Sequence, residues 1–486
     1  MQKFLSKYGL AAHLALLAVA PLFLCPFFSG ETVATVLCWL SPYVFSWILL
    51  EPSRRRGEVL HESRVRVWRS IVRDPLFWVL VVTISYAAVR WLNGGIRLVY
   101  DAEAETWSVH ESVLSFLPGS VTGSARQPFS TVLALTVVIM GCRHALGKGA
   151  RTVFIFTSSL ISGGVAVALA SLAVFGDAHW ADVARCSYLD PSFIGICFGL
   201  YLIAAFFALA EGGAEDWTGP LPFFVISIGG NLLGVYFFAP PLAVVVFFAA
   251  ALLAAFLSQV VTARRYEMAE RLKCLIVLFL SLALPVMAIV AFAPGWLTES
   301  RLAALTGKTF FPDGYFDMRA ALSRIAGAVW KGSPWLGSGL GSFPLDIRFN
   351  ATEADWALFQ PGQTAVPSGW WQLLVERGIV GVAFFAVPVL FLFAVWAWRL
   401  VGVALKFSAE ARLRSFFFEM QSIAWMALIG VGTLVALAFF DASFFRSDVL
   451  LAIGAFMALS CGSLPAVRKA TPDGEASDES LEVAES

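Results

Sequence analysis

The sequence predicts an all-α polytopic membrane protein, with about twelve transmembrane helices and one long extracytoplasmic loop containing amphipathic helices. Composition is the first observation behind this: 59% of the 486 residues are hydrophobic and 14% are charged, against about a quarter charged in a soluble domain. The second is the recurrence of apolar runs near the roughly twenty residues that a helix needs to cross a bilayer. The third is charge sidedness, because a formal net charge of zero hides basic residues gathered in alternate loops.

The apolar runs fall near 9–29, 31–50, 75–93, 128–146, 152–175, 193–212, 221–238, 241–262, 274–295, 369–397, 416–440 and 449–466. The first follows Lys3 and Lys7 and is read as an uncleaved span, since a second run follows at once. With the N-terminus in the cytoplasm, Arg54, Arg55, Arg56, Arg64, Arg66, Arg69 and Arg73 lie inside. So do Arg143, Lys148, Arg151, Arg264, Arg265, Arg271, Lys273, Arg399, Lys406, Arg412, Arg414, Arg468 and Lys469. The short outer loops keep only Arg97, Arg126, Arg185 and Arg446. The inner loop from Glu211 to Pro220, with acids and no Lys or Arg, fits this sidedness least. The resulting organisation is a first set of nine spans (1–295), an extracytoplasmic loop domain (296–368), three further spans (369–466) and an acidic, disordered cytoplasmic tail (467–486).

The remaining polar segments carry little chemistry. The arginines of the first inner loop suit anionic lipid head groups, but such loops set orientation in most multi-span proteins. Asp101, Glu103, Glu105, His110 and Glu111, between Asn93 and Gln127, lack a regular metal-ligand spacing and read as a solvated loop. Of the cysteines only Cys186 sits clearly in an outer loop, so no disulfide framework is expected. No Walker-type phosphate loop, HExxH helix, GxSxG elbow or dinucleotide fingerprint occurs. Any reaction must therefore run on an activated substrate, and nothing points to nucleic acid.

The long polar interruption from Asp317 to Gly381 is where function is expected. Asp317 suits a helix start, and Leu322, Ile325, Ala326 and Val329 follow at the spacing of a one-sided helix. Arg319, Arg324 and Lys331 lie off that stripe. The helix runs into PWLGSGLGSF, whose Gly337, Gly339 and Gly341 permit tight turns. Later PSGWWQLLVERGIVG, from Pro367 to Gly381, leads directly into an apolar span. Trp330, Trp335, Trp356, Trp370 and Trp371 cluster here, placed either to stack on sugar rings or to sit at the membrane interface.

Taken together, Arg319, Pro334, Gly337, Gly339, Phe343, Gln372, Leu373, Leu374, Glu376, Gly378 and Gly381 resemble the pattern of the O-antigen ligase and polymerase family, over roughly the last half of the chain. The resemblance implies a GT-C-like membrane fold in the bacterial cytoplasmic (inner) membrane, with both termini cytoplasmic. It implies a metal-independent glycosyltransferase of surface polysaccharide assembly, with no cofactor. Such an enzyme transfers a glycan from an undecaprenyl diphosphate carrier to an acceptor outside the membrane. Its partners would be a polyprenyl-diphosphate-linked glycan and membrane lipids.

Arginine suits the leaving diphosphate because its planar fork binds phosphate oxygens bidentately. Arg319, Arg324, Gly337, Gly339, Glu376 and Arg377 are the substrate-binding candidates, with no metal site and no catalytic residue assigned. Glu376 beside Arg377 suits an ion pair at the membrane edge. The family's usual His-Asn pair falls at Pro367 and Ser368, and its second arginine turn falls at Phe238, Ala239, Pro240 and Pro241. The outer histidines His110 and His179 and the spare cations Arg90, Arg324, Arg348, Arg377 and Arg446 are the remaining sources of that chemistry. Two alternatives stay open: a non-catalytic relative that binds lipid-linked glycan, and a twelve-span secondary transporter.

Overall fold

The computed structural model describes residues 2–25, 27–28, 30–52, 58–101, 106–110, 120–121, 126–175, 194–211, 221–239, 241–265, 268–292, 315–339, 342–359, 368–404, 422–438 and 447–463. Gly341, Pro367, Pro240, His179, Cys186, Arg446, the arginines at 54–56, the loop at 212–220 and the acidic tail lie outside the described residues.

The fold is that of a helical membrane protein. Its first part comprises α1 (Gln2–Leu24), α2 (Gly30–Leu50), the short α3 (Leu60–Val72), α4 (Pro75–Leu92), α5 (Arg126–Met140), α6 (Lys148–Phe175) and α7 (Ile194–Glu211). Then follow α8 (Leu221–Val225), α9 (Asn231–Phe238), α10 (Pro241–Arg265) and α11 (Met268–Phe292). Gly141–Ala145 and Ile226–Gly230 are π-helical turns that continue α5 and join α8 to α9. The second part comprises α12 (Tyr315–Gly332), α13 (Phe343–Asn350), α14 (Glu353–Leu358), α15 (Gly369–Ala404), α16 (Ser422–Ala438) and α17 (Ser447–Ser463).

Among the described residues five helices are long and apolar enough to cross a membrane, or six when the two bent halves of α15 count as one span. Each apolar run read from the sequence coincides with one of these or with a shorter apolar helix. One large core unites them, in which α1 packs on α6, α2 on α5, α7 on α10 and α17 on α5 and α16.

The segment after α4 differs from the solvated loop expected. Gly94–Asp101 (β1), Thr106–His110 (β2) and Ser120–Val121 (β3) form a small sheet in the order β2-β1-β3, with β2 antiparallel and β3 parallel to β1. Alternation in Ile96–Arg97–Leu98 and the β-branched and aromatic run Thr106–Trp107–Ser108–Val109 supply the strand preference that the neighbouring acids concealed.

Both ends of α4 are pinned by buried charge. At its start Asp74 accepts from the Leu76 N–H at 3.1 Å and caps the helix, with Pro75 at the first helical position. The same carboxylate meets Arg143 Nε and His144 Nε2, each at 2.7 Å, and His144 Nδ1 lies 2.6 Å from Ser70 Oγ. The π turn presents consecutive Arg143 and His144 to this cluster.

The loop segment builds a second, smaller core. Leu322, Ile325 and Ala326 of α12 are buried against Phe343 and Ile347 of α13 and Val375 of α15, with Val329 packed at the margin. The one-sided helix is therefore as expected, although it begins two residues ahead of Asp317, which occupies its first turn.

Candidate functional site

The glycine segment after α12 and the break in α15 form one interlocked unit. Gly378 has φ 64° and ψ −172°, a conformation open essentially to glycine alone, so α15 cannot continue as a regular helix through it. A continuous helix would send the Ile379 and Val380 amides to the carbonyls of Val375 and Glu376. Here those amides donate to Pro334 O at 2.9 Å and Trp335 O at 3.1 Å. The two released carbonyls are filled in exchange: Val375 O accepts from Ser338 N at 2.7 Å, and Glu376 O from Gly339 N at 3.2 Å. Four backbone bonds thus clasp the glycine segment to the broken helix and leave these groups satisfied.

Such a close approach explains the glycines. A Cβ on Gly337, whose φ is +73°, would stand 2.5 Å from Arg377 N, and one on Gly378 would stand 2.3 Å from Trp335 O. Gly339 also has positive φ, at 126°. At the following helix, Ser368 Oγ accepts from Trp371 N at 3.3 Å, so Ser368 serves as the N-cap of α15.

Arg90, near the other end of α4 from Asp74, completes the clasp. Its Nη2 donates to Glu376 O at 2.9 Å and its Nη1 approaches Leu336 O at 3.4 Å, so one guanidinium bridges the glycine segment and the broken helix. The side chain is 1% exposed. Glu376, itself buried, interacts electrostatically with Arg90 and Arg377, and Tyr86 lies one turn before Arg90 within range of both arginines. Burying Arg90 and half-burying Arg377 requires such compensation. Arg90 Nε and Tyr86 Oη are buried without a hydrogen-bond partner among the described residues.

Along the same two helices, further from the clasp, an apolar cavity of about 260 Å³ opens between α4, α5, α15, α16 and α17. Leu80, Phe384, Pro388, Val431, Leu450 and Met457 represent its walls. Proline at 388 has no N–H for the Phe384 carbonyl, and Thr83 Oγ1, also in the wall, points to that carbonyl at 3.4 Å while donating to Val79 O at 2.9 Å. Tyr86 stacks on Phe384 with ring centroids 4.7 Å apart. The polar clasp and the apolar cavity are therefore consecutive stretches of one α4–α15 contact.

Of the residues singled out from sequence, the structure brings Gly337, Gly339, Glu376 and Arg377 together. Arg319 is half-buried on α12, which packs on α15. Arg324 is engaged elsewhere: its Nη2 lies 2.5 Å from both carboxylate oxygens of Asp355, which also accepts from the Thr352 N–H and hydroxyl at the start of α14. Arg324 and the Thr352 bonds hold the Asp355 carboxyl down at about 2. Because the folded value is depressed, this tie is fully present above the ordinary carboxylate value of 3.8 and is lost as pH falls through about 2. Amides of Thr352–Leu358 should show markedly lower protection factors at pH 2 than at pH 5, each rate being divided into the intrinsic rate at its own pH, and Arg324→Ala should remove most of that difference, as hydrogen exchange in detergent can measure.

Arg90 stood in the sequence only as a spare cation, and Tyr86 and Asp346 were not singled out. The Ser338, Ser342 and Asp346 spacing of four residues was the available signal for the last. Ser338 Oγ and Ser342 Oγ are 2.6 Å apart, and Ser342 Oγ donates to Asp346 Oδ2 at 2.9 Å. Burial pushes the Asp346 carboxyl above its usual range, against the opposing bonds from Ser338 and Ser342. Among the described residues no three His, Cys, Asp or Glu side chains gather as a metal site. No family model matches this chain, and no curated protein matches it.

Proposed function

We propose that this protein binds a polyprenyl-diphosphate-linked glycan at the clasp and transfers the glycan to an acceptor, in the manner of the O-antigen ligase and polymerase family it resembles. The single observation that carries the reading is the juxtaposition of a doubly cationic polar cluster with an apolar cavity on the same pair of helices. A lipid diphosphate has these two parts in this order: a compact anion for guanidinium groups and a hydrocarbon chain for a dry cavity. Arg377 at the clasp and Arg319 on α12, which packs on α15, are the half-buried cations open to such a ligand, while Arg90, 1% exposed and bonded to Leu336 O and Glu376 O, holds the clasp and adds its field.

The reading also carries a topology. Twelve spans with cytoplasmic termini put the clasp at the outer face of the membrane and the Asp74 cluster at the inner face, in agreement with the arginine asymmetry of the loops. A cysteine introduced at Ala354, exposed on α14, should react with an impermeant maleimide from outside; reaction only after the inner face is exposed would reverse the orientation.

Binding without transfer is a second reading, favoured by one observation: Ser368, at the place of the family's His-Asn pair, is occupied as a helix cap. Reconstituted vesicles given undecaprenyl-diphosphate oligosaccharide separate the two. Arg319→Lys should weaken carrier binding and Arg319→Ala should weaken it more, by roughly tenfold for a charge-assisted contact. Unchanged binding by Arg319→Ala removes that residue from the diphosphate site, and binding with no product identifies a non-catalytic relative.

A further inference from the structure

We propose that Asp346 accepts the proton of the acceptor hydroxyl during glycan transfer, its carboxylate held in place by the Ser338–Ser342 hydroxyl pair at the clasp. The inference rests on the transfer reading above and deepens it, because that reading requires a base and the position expected for one is taken by Pro367 and Ser368.

The choice among the nearby carboxylates follows from what neutralises each. Asp355 is locked by Arg324 and by Thr352, and a carboxyl held at about 2 is a poor proton acceptor. Glu376 is buried and engaged in the clasp by its electrostatic interactions with Arg90 and Arg377. Asp346 has no cationic partner among the described residues and is half-buried, so it is neither quenched nor sealed. Burial favours proton uptake by raising its carboxyl above the usual range.

Position agrees with the role. Ser338 is tied to Val375 O through its amide at 2.7 Å, with its hydroxyl 3.2 Å from the same oxygen, while the Ser342 hydroxyl lies 2.9 Å from both Gly339 O and Asp346 Oδ2 and gives its one proton to the carboxylate. The carboxylate is thus fixed through two hydroxyls to the residue next to Glu376. With the diphosphate at the arginines, the acceptor oxygen forms its bond to the anomeric carbon as its proton passes to Asp346. The bond from that carbon to the phosphate oxygen breaks, and the electron pair leaves on the lipid diphosphate. Asp346 then releases the proton to water.

The test uses the full chain in vesicles, with a fluorescent undecaprenyl-diphosphate oligosaccharide as donor and the same free oligosaccharide as acceptor. Asp346→Asn should lower the rate of transfer by about 10²-fold or more, the range for loss of a general base. Carrier binding should stay within about twofold, and Asp346→Glu should recover part of the rate. Transfer by Asp346→Asn within about threefold of wild type overturns the assignment. So does a parallel loss of binding and transfer, which would make the residue structural. A wild-type chain that binds carrier without transferring overturns both this assignment and the transfer reading, leaving binding intact.

Discussion

Gly378→Val should dismantle the clasp and remove carrier binding. The substitution must place a β-branched residue at φ 64°, with its Cβ against the Trp335 carbonyl at 2.3 Å. Either α15 straightens, which withdraws Ile379 and Val380 from Pro334 and Trp335, or the glycine segment moves away. The conformational strain alone is on the order of 3 kcal/mol, and the displaced backbone bonds add to it. Gly337→Val approaches the same contact from the other segment and should behave alike, whereas Gly327→Ala, whose added carbon finds its nearest neighbour at 3.9 Å, should be close to neutral. Thermal unfolding in detergent with carrier binding separates the three. Wild-type binding by Gly378→Val would reduce the clasp to a linker.

Arg90→Met should have the second largest effect, at about 3–5 kcal/mol for breaking a buried charge arrangement. It removes the donor to Glu376 O and the bridge to Leu336 O, and it leaves Glu376 with one cation fewer. Arg90→Lys retains charge but cannot span both carbonyls with a planar fork. It should fold and bind carrier more weakly. A double substitution with Gly339→Val measures the coupling, because both act on Glu376 O. Independent, additive losses would show that Arg90 does not act through the clasp.

The elements of this fold were legible where local pattern decides structure. Apolar runs of membrane length found the helices, and the spacing of Leu322, Ile325 and Ala326 found the buried face of α12, because both signals are contained within a few turns of chain. Gly337, Gly339 and Gly378 were visible as turn formers, but their mutual fit was not. The exchange of hydrogen bonds between Val375–Val380 and Pro334–Gly339 joins segments about forty residues apart, and no local propensity encodes a register of that kind.

Arg90 was legible only as a membrane-edge cation, since its partner Glu376 lies 286 residues further on. Arg324 shows the opposite limit: as a sequence feature it matches Arg319, yet a threonine-capped helix start places Asp355 to receive it. The sheet between α4 and α5 was hidden by charge, because Asp101, Glu103 and Glu105 suggest a solvated loop even where the flanking residues alternate as strands do.

In the proposed function, one site holds a diphosphate at the clasp and its lipid chain in the cavity between α4 and α15. Photocrosslinking with a diazirine-bearing undecaprenyl diphosphate in vesicles addresses it most directly, with the labelled peptides mapped by mass spectrometry. Label is expected on the wall residues near Leu80, Phe384 and Leu450, competed by unlabelled undecaprenyl diphosphate and reduced by Arg90→Lys. Label spread evenly over the lipid-facing helices, uncompeted and indifferent to Arg90, would contradict it.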